Sequence, residues 1–338
     1  MTVPETTRRY HLGRRPDGLP DNDVFERREV DVAEPSPGEV CLRVLYLSVD
    51  PYMRDRMRAG ESYSEPWAVG DPLRGGAVAE VVASDGGGFD PGDLVVGNLP
   101  WAEYATVASG RLNAVDVGDQ PVSTALGVLG MPGRTAYFGT TEVAAPGPGD
   151  TFVITGAAGA VGSTAGQLAR LAGAEVVGFA GSDEKCRVVE SEFGFDACLN
   201  YRSVEDYGAA LDDRVDGVDC YFDNVGGPIT DAVFPRLNVD GRVAVCGQIS
   251  LYNESSTPTG PRKLPGLVRS RATVEGFLVR DFAPRYAEAT RRLREWVAAG
   301  DVAYRETVSE GLSSAPEAFR GLFRGDNVGK QLVQVAER

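Results

Sequence analysis

The sequence contains a single histidine, His11, and five cysteines, none of which forms a Cys-x-x-Cys pair. Structural zinc sites need clustered cysteines and histidines, and a Ser-His-Asp triad needs a well-placed histidine. An odd number of dispersed cysteines also argues against a disulfide framework. We therefore predict that the protein has no metal site and that its chemistry does not depend on histidine.

Long hydrophobic runs and lysines are scarce as well. No apolar stretch approaches the roughly 20 residues of a membrane helix, and the N-terminus lacks the apolar segment of a secretory signal, so we expect a cytoplasmic protein without membrane partners. Three lysines stand among 34 basic residues, against 49 acidic ones, and the net charge is −15. Such a chain repels nucleic acid. This composition is typical of proteins from high-salt cytoplasms, and equally of acidic proteins from high-GC genomes.

Two styles of pattern divide the chain. Up to about residue 125, short runs of alternating polar and apolar residues are separated by turns, which indicates a compact, mostly β domain. Beyond residue 150, apolar strands alternate with amphipathic helices, as in parallel βαβ units buried on both faces. The last segment predicts strand, short helix and strand, returning to the first domain. The predicted fold is α/β with two domains, 1–126 with 302–338 and 127–301.

Two helices can be placed from their sequences. Residues 131–144 are predicted to be helical and are followed by the break PGPGD. The segment 285–299 brings Ala289 and Leu293 to one face, and Gly300 is a plausible C-cap. These helices begin and end the predicted α/β region.

A glycine-rich turn, GAAGAVG, covers residues 156–162 between an apolar strand and an amphipathic helix. Gly159 allows the backbone to approach a pyrophosphate, and Gly162 allows the helix to pack against the strand. The N–H groups at the start of that helix attract phosphate. The strand-turn-helix context makes this turn, including Gly156, a predicted dinucleotide site.

The residues after the second strand address whether the dinucleotide is NAD or NADP. An NAD site usually has an acidic residue about 20 positions after the glycines, but here the strand ends at Gly181 and Ser182. Asp183 and Glu184 also fit the first turn of a helix capped by Ser182. Lys185 can pair with a 2′-phosphate, which favours NADP; the alternative is a solvated helix residue.

Eight stretches resemble the zinc-independent alkenal/enone reductases of the medium-chain dehydrogenase/reductase superfamily, the group of prostaglandin reductase, leukotriene hydroxydehydrogenase and plant double-bond reductases. They occur in the expected order between about residues 40 and 330. The stretches are LSVDPYMRDRM (47–57), GMPGRTAYFG (130–139), GAAGAVGS (156–163), GSDEK (181–185), FGFDACLNY (193–201), DCYFDNVGG (219–227), CGQISLYN (246–253) and APEAFRGLFRGDNVGK (315–330).

The resemblance implies a GroES-like, mostly β catalytic domain and a Rossmann domain, with the active site in the cleft between them. It implies NADPH-dependent reduction of the carbon–carbon double bond of α,β-unsaturated aldehydes and ketones, and a homodimer formed through the Rossmann sheet edge. The implied NADP contacts, beside the glycine turn and Ser182, are Ala160, Val161, Lys185, Tyr201, Asn224, Cys246, Gly247, Ile249, Tyr252, Phe277, Val279 and Asn327.

The resemblance also implies roles in the chemistry. Tyr252 is the candidate donor to the carbonyl oxygen, and Tyr52 with Arg54 would position the carbonyl end of the substrate. The alternative for both tyrosines is a pocket-lining role. Gly156 stands where relatives often have alanine, which we expect only to loosen the turn, and Gln248 and Leu251 flank the nicotinamide loop at positions where smaller residues are common.

Other functions remain compatible with these residues. Neighbouring members of the superfamily use the same architecture to reduce quinones, and a non-enzymatic NADP-binding sensor or stress protein would need only the cofactor site. A zinc alcohol dehydrogenase is disfavoured because the sequence is poor in zinc ligands.

Overall fold

The computed structural model describes residues 3–60, 62–256 and 258–338. The chain divides into two compact units. The first comprises Met1–Leu126, Glu306–Asn327 and Gln331–Arg338, and the second comprises Gly127–Arg305 and Val328–Lys330.

The first unit is built on a mixed sheet with the order β14-β15-β3-β4-β5-β7, and β6 pairs with β3 as well. The two central strands β3 and β4 are long and antiparallel, and their inward residues, such as Leu42 and Val44, are fully buried. The strands predicted from the alternating pattern are therefore confirmed. The strands of this unit are β1 (Thr6–Leu12), β2 (Phe25–Asp31), β3 (Glu39–Ser48), β4 (Arg74–Ser84), β5 (Leu94–Pro100), β6 (Tyr104–Ala108), β7 (Leu112–Ala114), β14 (Glu306–Glu310) and β15 (Lys330–Gln334), and its helices are α1 (Met53–Arg56) and α9 (Ala315–Arg324).

The N-terminal segment is more ordered than its polar sequence indicates. β1 and β2 form an antiparallel pair in which His11 lies opposite Glu26. His11 is only 7% exposed, and its Nδ1 lies 2.8 Å from the carbonyl oxygen of Gly70. The only histidine is thus a buried residue of the first unit.

The second unit is the predicted Rossmann-like domain. Its six strands are parallel and follow the order β10-β9-β8-β11-β12-β13. The predicted helix at 285–299 is confirmed as α8, and Gly300 caps it with a φ of 80°. The strands are β8 (Thr151–Thr155), β9 (Glu175–Ala180), β10 (Ala197–Asn200), β11 (Val218–Asp223), β12 (Leu237–Val245) and β13 (Thr273–Gly276), and the helices are α2 (Met131–Phe138), α3 (Ala160–Leu171), α4 (Asp183–Ser191), α5 (Tyr207–Asp212), α6 (Pro228–Val233), α7 (Leu264–Ser270) and α8 (Tyr286–Ala299).

Both faces of this sheet are buried. Phe152 and Ile154 of β8 belong to one hydrophobic cluster, whereas the intervening Val153 belongs to another. Alternate side chains point to opposite faces of a strand, so an apolar run without polar alternation is what a strand covered on both sides requires. Within the described residues, no helix is long and apolar enough to span a membrane.

Candidate active site

The sheet of the second unit changes winding direction between β8 and β11. From β8 the chain adds β9 and β10 on one side, and β11, β12 and β13 lie on the other. Ligands of open α/β sheets bind outside the carboxyl ends of the strands at such a switch point. The glycine turn follows β8 and Asn224 follows β11, so the predicted glycine turn and the predicted cofactor residue Asn224 both lie at the switch point.

The glycines of the turn meet distinct steric demands. A Cβ on Gly162 would lie 2.1 Å from the carbonyl oxygen of Gly156, an impossible contact, so the helix can approach the turn only with glycine there. Gly156 itself has a φ of +65°, in the left-handed region that favours glycine. Its role is therefore more specific than a loosened turn. Gly159 is the N-cap of the 12-residue α3 and supplies no capping side chain, which leaves the first N–H groups to a phosphate.

The predicted 2′-phosphate residues lie together at the ends of two neighbouring strands. β9 and β10 are parallel, with Ala180 opposite Asn200, so Ser182 and Tyr201 leave the sheet at the same edge. A Cβ on Gly181 would come within 2.7 Å of the Tyr201 hydroxyl, so that hydroxyl lies directly on the turn. Lys185 is partly buried in the first turn of α4, whose N-cap is Ser182. The group fits the 2′-phosphate of NADP.

Two charged residues, Asp183 and Arg202, also lie at the edge where β9 and β10 end. Asp183 lies in the first turn of α4, as the alternative interpretation of the sequence proposed, and its carboxylate accepts a hydrogen bond of 2.7 Å from the Asn200 amide. Arg202, which the sequence reasoning missed, carries its guanidinium 5.9 Å from the centre of the Tyr201 ring. Its position one residue after Tyr201 was the available signal, and it adds a cation at the end of β10.

A buried carboxylate connects the loops on the other side of the switch point. Asp223, the last residue of β11, is fully buried and accepts hydrogen bonds from Thr155 of β8 and from Gln248, which follows β12. Asn224 donates its backbone N–H to the Thr155 hydroxyl and its amide to the Thr155 carbonyl. Sequence reasoning missed Asp223 and Thr155, although an acid ending an apolar strand was the signal.

The loop that follows β12 carries Tyr252. The Tyr252 hydroxyl accepts a hydrogen bond of 3.4 Å from the backbone N–H of Gln248, and it lies 3.2 Å from a Cβ placed on Gly247. The hydroxyl thus lies beside Gly247, one of the predicted cofactor residues Cys246, Gly247 and Ile249 of this loop. Burial and the nearby Asp223 carboxylate raise the pKa of the Cys246 thiol to about 12, which keeps it a neutral thiol.

The remaining predicted cofactor residues lie on separate elements. Phe277 follows β13 and packs its ring edge-on against Phe222, 6.1 Å between centres, so its side chain belongs partly to the core. Val279 begins the 3₁₀ helix Val279–Arg285. Asn327 immediately precedes the segment Val328–Lys330, in which the Gly329 N–H donates at 2.7 Å to the carbonyl of Ala158 in the glycine turn.

Tyr52 and Arg54 belong to the first unit. Tyr52 precedes α1 and packs against the hydrophobic core, and burial together with the Asp50 charge raises the pKa of its hydroxyl. Arg54 is only 1% exposed; its guanidinium donates to the carbonyls of Gly18 and Pro16, and burial lowers its pKa to about 10. These contacts favour a structural role for Arg54.

Replacing Arg54 tests that role. Arg54→Leu removes charged donors from two backbone carbonyls, which typically costs about 2 kcal/mol. We expect the melting temperature to fall by about 4–8 °C. Differential scanning calorimetry measures the shift, with Arg58→Leu on the same segment as the control. An unchanged melting temperature would contradict the structural role.

No group of three or more His, Cys, Asp or Glu residues in the part of the chain that the structure describes is arranged to hold a metal ion.

Two family models match the sequence. Residues 8–115 match the N-terminal domain of oxidoreductase, and residues 160–295 match the zinc-binding dehydrogenase family. In this chain the second region contains no histidine.

Individual relatives cover nearly the whole chain. The sequence is 44% identical to the NADP(+)-dependent 2-alkenal reductase of Nicotiana tabacum over 94% of both chains, and 42% identical to the NADPH-dependent curcumin reductase of Escherichia coli (strain K12) over 98% of both. The solved structure of CurA from Vibrio vulnificus in complex with NADPH superimposes with a TM-score of 0.93 at 40% identity, covering 98% of this chain and all of that one. The chain therefore belongs to the medium-chain dehydrogenase/reductase family, in its group of NADP-dependent alkenal, curcumin and prostaglandin reductases.

Proposed function

We propose that this protein is an NADPH-dependent reductase of the carbon–carbon double bond of α,β-unsaturated aldehydes and ketones. Its relatives include a 2-alkenal reductase that matches 94% of the chain. The observation that carries the proposal is that one unit contains both the predicted 2′-phosphate residues Ser182, Lys185 and Tyr201 and the Tyr252 hydroxyl at the loop that follows β12. In this proposal the 2′-phosphate residues select NADP over NAD, and the Tyr252 hydroxyl is the hydrogen-bond donor that enone reduction needs.

The roles of the residues follow from the charge that develops. When bound, NADPH supplies a hydride for the β-carbon of the substrate. Negative charge then builds on the substrate carbonyl oxygen, and a preorganised donor there lowers the barrier. In this proposal the Tyr252 hydroxyl, which accepts a hydrogen bond from the Gln248 N–H, donates a hydrogen bond to that oxygen once the substrate is bound. Tyr52 is proposed as a second pocket residue.

Steady-state assays with a graded substrate panel test the proposal. We expect NADPH to be oxidised with 2-alkenals and cyclic enones, and the products to be saturated carbonyl compounds rather than allylic alcohols. Rapid turnover of quinones with none of enones would replace the proposal by quinone reduction. Tight NADPH binding without turnover on either class would identify a non-enzymatic NADP-binding protein.

We further propose that the protein is a cytoplasmic homodimer joined through the edge of the Rossmann sheet. All four residues of the edge strand β13 are exposed, including Val274. Leu264 and Val268 of the neighbouring α7 are 69% and 81% exposed, and Val239 of β12 is 56% exposed. An uncovered edge with exposed apolar residues is a ready template for strand pairing, and a second copy of the same edge completes it by two-fold symmetry.

The dimer can be tested by placing charges on this edge. Light scattering after size exclusion is expected to give twice the 35.9 kDa chain mass for the natural sequence. A Val268→Asp, Val274→Asp double variant should shift the protein to monomer, because a dimer must then bury four charges. Val308→Asp is the matched control, since Val308 is 42% exposed on β14 of the other unit. A control variant that also became monomeric, or an unchanged double variant, would contradict the proposed edge.

A further inference from the structure

Asp223 has surroundings that no role in cofactor binding explains. It is fully buried, and among the described residues no arginine or lysine forms an ion pair with it. Six groups donate to its carboxylate at 2.7–3.0 Å. They are the hydroxyls of Thr155, Tyr221 and Thr230, the backbone N–H groups of Val225 and Gly226, and the amide of Gln248.

The donors come from β8 and β11 and from the segments that follow β11 and β12. Thr155 ends β8 directly before the glycine turn, Val225 and Gly226 follow β11, and Gln248 follows β12. The carbonyl oxygen of Asp223 also accepts the N–H groups of Cys246 and Gly247, at 2.8 and 3.1 Å. Asp223 therefore connects these segments through both its carboxylate and its backbone carbonyl.

The link through Gln248 leads to Tyr252. The Gln248 Nε2 donates to Asp223 Oδ2 at 2.9 Å, and the Oε1 of the same amide would lie 2.0 Å from a Cβ on Gly226, so the amide fits closely over that glycine. These contacts fix the Gln248 side chain. The backbone N–H of the same residue donates a hydrogen bond to the Tyr252 hydroxyl. Each of the six side-chain contacts of Asp223 places a hydrogen-bond donor against a carboxylate oxygen, which accepts.

Resting on the function proposed above, we propose that Asp223 is a positioning residue for the reaction: through Gln248 it fixes the loop 246–252 and thereby the Tyr252 hydroxyl. Small displacements of a donor from the developing charge cost rate rather than substrate binding. The effect of losing Asp223 should therefore appear in kcat, while the 2′-phosphate contacts beyond β9 and β10 keep NADPH affinity.

The Asp223→Asn variant tests this relay. It replaces one carboxylate oxygen with an amide donor, so the six donors around Asp223 share a single acceptor oxygen and the loop is held less tightly. We expect kcat with an enone to fall by about 5- to 20-fold, with the Kd of NADPH changed less than about threefold and a larger isotope effect with NADPH deuterated at the transferred position. Amide hydrogen exchange of 246–252 in the cofactor-free protein should accelerate by about tenfold or more.

A polarity swap and a matched control sharpen the test. Asp223→Asn with Gln248→Glu restores an acceptor opposite the new donor at the same net charge, and we expect it to recover much of both kcat and exchange protection. Asp219→Asn changes the other end of the same strand, where the carboxylate accepts from the Thr151 N–H and the Asn238 amide at 2.9 and 2.8 Å. This control should leave kcat and the exchange of 246–252 unchanged.

Gln248→Met covers the case in which Asp223→Asn does not fold. It removes only the hydrogen bond between Gln248 and Asp223 and leaves Asp223 its five other donors. The faster exchange of 246–252 and the lower kcat should therefore reappear in a stable protein. Wild-type exchange and kcat in Gln248→Met, or equal losses in Asp219→Asn, would overturn the relay. If the natural protein reduces no enone, the proposed function fails, whereas the exchange measurement still decides whether Asp223 orders the loop.

Discussion

A Tyr252→Phe variant is expected to lose about 5- to 150-fold in kcat/KM with an enone, which corresponds to about 1–3 kcal/mol for one hydrogen bond to a developing charge. The ring remains, so the pocket keeps its shape and only the donor disappears. The Tyr252 hydroxyl accepts a hydrogen bond of 3.4 Å from the Gln248 N–H, which places it at the loop that follows β12.

The comparison variants decide between a donor and a pocket residue. Tyr137→Phe removes a hydroxyl that donates to Glu288 at 2.8 Å in the same unit, and it should leave kcat/KM unchanged. Tyr52→Phe tests the second tyrosine in the same assay. If Tyr252→Phe retained full kcat/KM, the hydroxyl would not take part in the reaction and the ring would only line the pocket.

Lys185→Met is expected to raise the KM for NADPH by about 10- to 150-fold, because a charge-assisted contact to phosphate contributes about 1.5–3 kcal/mol. The KM for NADH should change little, since NADH has no 2′-phosphate. Lys185 lies in the first turn of α4, which follows β9 at the edge where Tyr201 follows β10. Steady-state kinetics with both cofactors measure the change in preference.

The control for Lys185 is another of the three lysines. Lys263→Met removes the same charge at the N-terminus of α7, away from the 2′-phosphate edge, and should leave the preference for NADPH intact. A loss in the Lys185 variant that shrinks at high salt would agree with a charge contact, because salt screens exposed charges. Equal changes for NADPH and NADH would contradict the assignment of Lys185 to the 2′-phosphate.

The second unit shows how far sequence patterns reach. Apolar runs separated by helices predicted the parallel sheet, and the strand-turn-helix context of Gly159 predicted the dinucleotide site. These features depend on neighbours in the chain: a strand covered on both faces must be apolar throughout, and a close helix-strand turn must be glycine where a Cβ would strike a carbonyl, as at Gly162. The resemblance then supplied the reaction and the candidate residues.

Contacts between distant segments could not be predicted in the same way. The polar sequence around His11 gave no sign that its side chain is buried, and Arg54 was expected to position a substrate, although its guanidinium binds the carbonyls of Gly18 and Pro16. Burial of a polar side chain depends on which partners the fold brings to it, because an unpaired polar group inside the protein is costly.

By itself the sequence determined the fold class and the glycine turn, and it predicted Lys185 as the residue that distinguishes NADP from NAD, since each depends on residue types at short and fixed spacing. The tertiary structure alone decided how the loops at the switch point are joined. Thr155 and Asp223 are 68 residues apart, and Gln248 follows 25 residues later, yet the strand order brings all three into one hydrogen-bonded group. No local pattern encodes that meeting, because it depends on the order in which the strands pair.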